Sequence, residues 1–219
     1  QAHNMFWQLD GGSNTTFGGQ QTNVSVGSHQ VTESNVSGYH FTGWYPTANA
    51  AQQSCSNPAG TTLPVNVNVA SGLTTNITLC NQRDTGELKV IKKVINNNGG
   101  TKDSSDFTIH VKNGGSDVTG SPKAGSSTGD SYKLATGSYT VSEDTLAGYE
   151  QTSLVCKDDT TSATVANPVV LSANQKVTCT ITNDDKTPTV TVIKNVLNPY
   201  GAPLSPTAFP LFLDGTSVI

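Results

Sequence analysis

An internal repeat with a period near 100 residues constrains the fold of this 219-residue chain more than any other feature of its sequence. The segment Leu88-Lys-Val-Ile-Lys-Lys-Val94 returns 102 positions later as Val190-Thr-Val-Ile-Lys-Asn-Val196. A second block, Gly137-Ser-Tyr-Thr-Val-Ser-Glu143, has a counterpart 110 positions earlier, Gly27-Ser-His-Gln-Val-Thr-Glu33. Such self-similarity is typical of a chain built from successive copies of one folded unit.

The repeated blocks divide the chain into one complete unit and two partial ones. Residues 86–185, the complete unit, contain every block. Residues 1–84, the leading segment, are predicted to be a unit without its opening strand. Residues 187–219, the tail segment, are predicted to be the opening strands of a third unit or a strand-donating tail. Joints of only a few residues favour a semi-rigid rod. The sequence has no recognisable signal peptide or anchoring motif, which we interpret as an internal or processed stretch.

Apolar residues of the complete unit alternate with polar ones at a period of two, as they do in half-buried β-strands. Leu88 and Val90 share one face of the first predicted strand, and Val177, Cys179 and Ile181 share one face of the last. No window shows a sustained 3.6-residue apolar period. Six or seven short strands with turn-forming residues between them predict a β-sandwich. We therefore expect an all-β chain of tandem, immunoglobulin-like sandwich repeats of about 100 residues each.

Composition and motifs exclude several classes of function. The net charge is −4 without a basic cluster, so binding to nucleic acid has no electrostatic support. No apolar run is long enough to form a transmembrane segment in this stretch. Gly125-Ser-Ser-Thr-Gly129 matches a hydrolase pattern but lies in a Gly/Ser loop instead of between a strand and a helix. We predict no enzyme and no cofactor, and we interpret the pairs Asp158-Asp159 and Asp184-Asp185 as solvated loop charges rather than a calcium site.

Three polar residues fall on faces that the alternation assigns to the core. Lys92 follows Leu88 and Val90 on the first strand, Glu143 ends a second inward face, and Asn183 ends the last. A buried charge without a partner is costly, so the three residues require a common explanation. A one-residue bulge would instead turn the neighbouring Lys93 inward.

At these residues the chain resembles the prealbumin-like (Cna B-type, SpaA-like) repeat domains of bacterial surface proteins and pilins. The matching blocks are Leu88-x-Val-x-Lys92, Gly137-Ser-Tyr-Thr-Val-Ser-Glu143 with the following Gly148-Tyr149, and Cys179-Thr-Ile-Thr-Asn183. The resemblance covers essentially the whole chain, with partial units at both ends.

The resemblance implies a covalent role for the three polar residues. In many family members the opening-strand lysine and the closing-strand asparagine join spontaneously in an isopeptide bond, assisted by the glutamate between them. Carried over to this chain, these are Lys92, Asn183 and Glu143. A desolvated lysine loses its proton more readily and becomes a nucleophile. The alternative is that a disulfide stabilises the unit and leaves the three residues unlinked.

The partial units contain the remaining members of the same pattern. Glu33 and Asn81 match in the leading segment, where no lysine precedes them, and Lys194 matches in the tail segment. We therefore consider Lys194, Glu33 and Asn81 as candidates for a bond between subunits, made when one subunit's tail completes the leading segment of the next.

Four cysteines fall two per unit, Cys55 with Cys80 and Cys156 with Cys179, separated by 25 and 23 residues. An even count in a polar chain of extracellular character predicts disulfides. Zinc is the alternative, but no Cys-x-x-Cys and no histidine at ligand spacing supports it.

These patterns predict a structural segment of an extracellular, cell-surface fibre, pilus or adhesin stalk. Its partners would be neighbouring repeats of the same chain or other copies of it, and host or surface glycans as adhesive targets. The alternative is a carbohydrate-binding module of a secreted protein, which would need an exposed aromatic platform near Trp44. Fold analogy alone does not decide between these functions.

Overall fold

The computed structural model describes residues 5–46, 55–197, 200–201, 204 and 208–217, and the predicted all-β class is confirmed. The chain divides into two compact units, residues 1–185 and residues 186–219. Within the described ranges no helix has the length and apolar character needed to cross a membrane.

The described residues of the leading segment form six strands in two sheets. Their bounds are β1 Phe6–Leu9, β2 Thr15–Thr16, β3 Gly27–Glu33, β4 Tyr39–Pro46, β5 Val65–Val69 and β6 Ile77–Arg83. An antiparallel sheet has the order β2-β1-β3-β5, and β4 pairs with β6 in a second sheet. Its small core consists of Val31, Val65 and Val67, against which partly buried residues such as Trp44 and Leu79 pack.

The complete unit contains ten strands and one short 3₁₀ helix, Ser104–Asp106. The strands are β7 Thr85–Ile95, β8 Thr108–Asn113, β9 Ser116–Asp117, β10 Lys123–Ala124, β11 Asp130–Ala135, β12 Gly137–Glu143, β13 Tyr149–Asp158, β14 Thr164–Val165, β15 Val169–Leu171 and β16 Lys176–Asp185. One sheet has the order β10-β8-β12-β15, with β9 added to β8, and the other has the order β11-β7-β16-β13-β14. The first and last strands, β7 and β16, are therefore direct neighbours, and they run parallel.

Alternation along these strands fills the core between the two sheets. Leu88 and Val90 of β7 are 0% and 3% exposed, while Val177 and Ile181 of β16 are both fully buried. The inward residues of both sheets form one contiguous cluster that is much larger than the cluster of the leading segment. Since a fully buried valine or leucine contributes about 1.5–3 kcal/mol, most of the apolar stabilisation lies in the complete unit.

Strand pairing in the leading segment repeats the registers of the complete unit. Glu143 of β12 pairs with Ile109 of β8. Glu33 of β3 pairs with Trp7 of β1, which lies 102 positions before Ile109. The agreement makes β1 and β3 the counterparts of β8 and β12. That the chain is a tandem array of whole repeats stays a prediction.

The tail segment contains one hairpin among its described residues. It is formed by β17, Phe212–Leu213, and β18, Thr216–Ser217. Residues 190–197, which repeat the opening strand of the complete unit, belong to no strand here.

Candidate crosslink site

Parallel pairing of β7 with β16 brings Lys92 and Asn183 to the same part of the core. Lys92 lies opposite Ile181, and Asn183 lies opposite Val94. Both side chains point inward, because each occupies an alternating position of its strand. Across the diagonal between them the Lys92 Nζ atom donates a hydrogen bond to the Asn183 Oδ1 atom.

Glu143 reaches the same point from the facing sheet. Its strand, β12, belongs to the β10-β8-β12-β15 sheet, and its Oε2 atom lies 3.0 Å from the Lys92 Nζ atom. The structure therefore brings together all three residues that the sequence assigned to one site. Lys93, the alternative that a bulge would have selected, is exposed.

The site is almost fully shielded from water. Lys92 and Asn183 are 1% and 3% exposed, and the Glu143 side chain is 5% exposed. The Lys92 Nζ atom also lies 4.0 Å from the centre of the Phe107 ring. Burial lowers the pKa of Lys92, and the hydrogen bond and charge of Glu143 oppose part of that change. A larger fraction of the Lys92 amine is therefore in the neutral, nucleophilic form than in a solvated lysine.

A loop after β10 closes over the lysine. The Lys92 backbone N–H donates to the Ser126 carbonyl at 2.9 Å, and the Ser104 hydroxyl donates to the Lys92 carbonyl at 2.9 Å. A Cβ atom at Gly125 would lie 2.6 Å from the Ser104 carbonyl oxygen and 2.9 Å from the Lys92 Cβ atom. Gly125 and Ser126, the first two residues of the hydrolase-like motif, therefore serve close packing at this site.

This geometry suits amide exchange between lysine and asparagine. A neutral Lys92 amine can attack the Asn183 carboxamide carbon, whose oxygen it already contacts. Glu143 is within reach of the attacking nitrogen and can take its proton, and the leaving nitrogen must gain a proton to depart. The products would be a secondary amide and ammonia.

The leading segment contains two members of a second, similar site. The Asn81 Nδ2 atom donates to the Glu33 Oε2 atom at 3.0 Å. Burial raises the pKa of Glu33, while the bond from Asn81 acts in the opposite direction. Residues 1–84 contain no lysine, and the first lysine of the sequence is Lys89.

Lys194, the third intersubunit candidate, lies in the tail segment. Its Nζ atom is 4.7 Å from the centre of the Phe209 ring, which repeats the contact between Lys92 and Phe107 at an offset of 102 residues. Its role in a bond between subunits stays a prediction.

The structure contains both disulfides that the cysteine count predicted, Cys55–Cys80 and Cys156–Cys179. Cys156 and Cys179 are directly paired across β13 and β16. At the repeat offset of 102 residues Cys80 corresponds to Thr182 and not to Cys179, so the two bridges occupy different positions in their units. In the described part of the chain no cluster of three or more His, Cys, Asp and Glu residues has a metal-binding arrangement.

The interpretation of Asp185 as a solvated loop charge is wrong. Asp185 is 5% exposed and accepts backbone N–H bonds from Asn97, Asn98 and Gly100 at 2.9, 2.9 and 2.6 Å. It joins the end of β16 to the loop after β7. The signal for this clamp was the Asn/Gly-rich turn at 96–100, whose free N–H groups need an acceptor.

Asp158, from the other acidic pair, caps a turn. Its Oδ1 atom accepts N–H bonds from Thr160 and Thr161, each at 2.9 Å. Together with the side-chain bond from Gln175, which has the largest effect, these bonds lower the pKa of Asp158 to about 2.

Trp44, the candidate ligand-binding residue, is partly buried. Its ring packs against the Val31, Val65 and Val67 cluster, and its backbone bonds with Gly60. This position gives Trp44 a core role in the leading segment.

Comparison with known proteins identifies the fold of the complete unit. A family model described as a prealbumin-like fold domain of the SpaA type matches residues 83–181, as the sequence resemblance predicted. Among solved structures, the chain is similar to the major pilin from Streptococcus pyogenes, with 20% identity, 79% of this chain and 75% of that chain covered, and a TM-score of 0.36. The T-13 major pilin of the same species shows 18% identity, coverage of 80% and 72%, and a TM-score of 0.35. No curated protein matches the chain.

Proposed function

We propose that the chain is a structural module of an extracellular, cell-surface fibre or pilus, because residues 83–181 match the model of a prealbumin-like fold domain of the SpaA type. Its chemistry is a single internal bond formed during maturation, without turnover of a substrate. The family resemblance supports this role, because its repeats occur in surface proteins and pilins.

The observation that carries the proposal is the buried contact of Lys92 with Glu143 and Asn183. A lysine and a glutamate without solvent are expensive to bury, even as a pair. An amide bond between Lys92 and Asn183 removes the lysine charge and links the first strand of the unit to the last. A protein that remains intact outside the cell benefits from such a link, since no cellular machinery refolds it there.

The intact mass of the 219-residue chain, measured after reduction of both disulfides, tests the proposal. Bond formation releases one ammonia, so we expect a mass about 17 Da below the sequence mass for each isopeptide bond. Fragment mapping should find the peptide with Lys92 joined to the peptide with Asn183. Lys92→Ala should restore the missing mass, whereas Lys93→Ala, which changes an exposed neighbour, should not.

A parent chain with its full sequence mass would overturn the internal bond. Lys92 and Glu143 would then be an ordinary buried ion pair, and the fibre proposal would lose its chemical basis. A mass deficit that maps to any other lysine would have the same consequence.

Two modes of fibre construction agree with the repeats. Successive units of one long chain would form a stalk, with the tail segment opening the next repeat. Alternatively, copies would polymerise head to tail by strand complementation, with one copy supplying a strand that another accepts. The carbohydrate-binding alternative has less support, because Trp44 packs into the small core and its ring offers only part of its surface.

A further inference from the structure

The outer face of the five-stranded β11-β7-β16-β13-β14 sheet in the complete unit collects lysines from four of its strands. Alternation directs them away from the core, because each precedes or follows a buried residue of its strand. They are Lys89 and Lys93 of β7, Lys133 of β11, Lys157 of β13 and Lys176 of β16. The strand order makes neighbours of residues that are far apart in the sequence. A chain with a net charge of −4 and no basic cluster in its sequence thus forms a basic surface.

The strand registers place these lysines around a row of outward-facing threonines on β16, the central strand of the sheet. Lys89 and Lys157 lie on either side of Thr178, and Lys93 lies beside Thr182. Neighbouring strands are about 4.8 Å apart, so the backbones of Lys89 and Lys157 are separated by about 10 Å. Amines therefore border the threonine row on both sides.

Four of the five lysines have no carboxylate partner. Lys176 lies 3.7 Å from Glu87. The ion pairs formed among the described residues include none of the other four, Lys89, Lys93, Lys133 and Lys157. By contrast, the Lys123 amine on another strand of the unit lies 2.6 Å from a carboxylate oxygen of Asp130. Amines without a neutralising partner are therefore concentrated on this face.

The carboxylates of the same face leave this positive charge uncompensated. Glu87 is already engaged with Lys176. Asp184 and Glu150 oppose each other on neighbouring strands, at the end of the ladder that is remote from Lys157. A surface on which one sign of charge predominates attracts polymers of the opposite sign, over a distance that added salt shortens.

A groove with a volume of about 740 Å³ opens beside Lys93 at the edge of this face. Ile91 and Thr180 of the face line it, together with hydroxyl-bearing loop residues that include Ser126 and Ser127. None of the described residues that line it is aromatic. The groove therefore offers an amine and several hydroxyl groups, which can donate and accept hydrogen bonds, but no ring on which a sugar could stack.

This combination of groups fits a linear acidic polysaccharide. The carboxylate or sulfate groups of such a polymer would meet the unpaired lysines, and its hydroxyl groups would exchange hydrogen bonds with the threonine and serine side chains. A neutral sugar is a poorer fit, because the groove provides no aromatic ring. A protein partner is also a poorer fit, since protein interfaces rely on tryptophan, tyrosine and arginine anchors, and the outward positions of β7, β13 and β16 hold none of these.

We propose that this face of the complete unit binds a linear acidic polysaccharide, which lies along β16 between Lys89 and Lys93 on one side and Lys157 on the other. Binding is electrostatic, with hydrogen bonds from the threonine row, and involves no covalent step. The inference goes beyond the structural function proposed above. It does not depend on the Lys92–Asn183 bond, because both of those residues are buried in the core.

Binding of the 219-residue chain to immobilised polysaccharides tests the proposal. The probes are dextran sulfate and hyaluronate, which distinguish sulfate from carboxylate groups, with neutral dextran as the reference. We expect the chain to bind at least one of the two acidic polymers but not dextran, and to dissociate as NaCl rises from about 0.05 M to about 0.5 M. The combined variant Lys89→Gln, Lys93→Gln, Lys157→Gln should bind about tenfold more weakly or worse.

Two further variants separate this face from the overall charge of the chain. Lys112→Gln, Lys123→Gln, Lys194→Gln changes the net charge equally at lysines that belong to no strand of this sheet, and should alter binding by less than about twofold. Thr180→Val removes one hydroxyl at constant charge. It should weaken polysaccharide binding by about two- to tenfold, the effect of one hydrogen bond, and leave binding to inorganic polyphosphate unchanged.

Failure of the parent chain to bind either acidic polymer at low salt would overturn the inference. Equal losses in the two triple variants, both folded by circular dichroism, would do the same, because they would assign binding to net charge. Full polysaccharide binding by Thr180→Val would mean that charge alone drives the contact and would overturn the assignment to a polysaccharide. The intact mass of the same samples reports the Lys92–Asn183 bond, so the proposed function is judged separately.

Discussion

At the scale of single residues, close packing around Lys92 depends on a glycine that no chemical argument would select. Gly125 allows its loop to lie directly on Lys92 and Ser104, and a Cβ atom there would approach both to less than 3.0 Å. The backbone of the same loop accepts the Lys92 N–H bond through Ser126. A side chain at position 125 must therefore displace either the loop or the lysine.

Gly125→Ala should destabilise the complete unit by about 1–3 kcal/mol, the usual cost of overpacking a tight core site. The free energy of unfolding from denaturant titration gives the comparison. Ser127→Ala changes an exposed residue of the same loop and should differ from the parent by less than about 0.5 kcal/mol. Equal stability of the two variants would contradict the packing argument.

His29 and Asp10 form a pH-dependent pair in the leading segment, with 2.6 Å between the His29 Nδ1 atom and the Asp10 Oδ2 atom. The bond to Asp10 raises the pKa of His29, and the same bond lowers the pKa of Asp10. The contribution of His29 is fully present below its unfolded pKa near 6.5 and is lost as pH rises through the folded value. The contribution of Asp10 is present above about pH 4 and is lost in acid.

His29→Tyr introduces the residue type found at the equivalent position 139 and removes this titration. We expect its thermal midpoint to fall furthest below that of the parent between about pH 4 and 6.5, with the difference shrinking toward pH 8. Fluorescence of Trp7 and Trp44, the two tryptophans of the chain, reports on the leading segment alone. A difference that does not change with pH would contradict the pairing.

Whether these residues could be predicted from the sequence depends on whether a local pattern or a distant segment determines their contacts. Lys92 and Asn183 could be placed because a period of two assigns each strand residue to a face, and the repeat identified the strands. Asp185 was missed because the Asn/Gly-rich turn at 96–100 indicates N–H groups in need of an acceptor but not which residue, more than 80 positions away, supplies it. Gly125 was hidden for the same reason, because its neighbours come from distant segments.

At the scale of elements, Asp185 connects the end of the last strand to the loop that follows the first strand of the complete unit. Three backbone N–H groups converge on its carboxylate, and they lower its pKa against the opposing effect of burial. An ionised carboxylate accepts these bonds better than a neutral amide does. The clamp therefore depends on the charge of Asp185.

Asp185→Asn should lower the thermal midpoint of the complete unit at pH 7, because the amide supplies one acceptor oxygen where the carboxylate supplies two. Since the pKa of the folded carboxyl is depressed, its contribution is present above about pH 4 and is lost as pH falls through the folded value. Parent and variant should therefore converge in acid. The neighbouring Asp184→Asn is the matched control, and an equal effect from it would contradict the clamp.

The Cys156–Cys179 disulfide ties β13 to β16 within one sheet. It closes a loop of 23 residues, which the chain-entropy estimate values at about 3 kcal/mol. Replacing both cysteines by alanine should reduce the unfolding free energy of the complete unit by about that amount. Replacing Cys55 and Cys80 should leave this unit unchanged, and a loss of similar size there would contradict the separation of the two bridges.

At the scale of the whole molecule, the two folded parts of residues 1–185 differ in the size of their cores. The buried cluster of the complete unit extends over both of its sheets, whereas the leading segment has Val31, Val65 and Val67 with partly buried neighbours. The smaller core gives the leading segment less apolar stabilisation than the complete unit has.

Heating should therefore unfold the leading segment before the complete unit. Tryptophan fluorescence, which comes only from the leading segment, should change at a lower temperature than far-UV circular dichroism, which is dominated by the longer strands. Amide hydrogen exchange should be faster in β3 and β6 than in β12 and β16. Coincident transitions by all probes would show that the two parts unfold together.

The parallel adjacency of β7 and β16 also determines how the complete unit would respond to tension. A pull applied at its two ends acts on the start of β7 and the end of β16, so the ladder between them is loaded in shear, with all of its hydrogen bonds strained together. With Lys92 joined to Asn183, the load would pass directly from one strand to the other. The residues between them could then not extend, and on the order of 300 Å of chain length would stay folded under force.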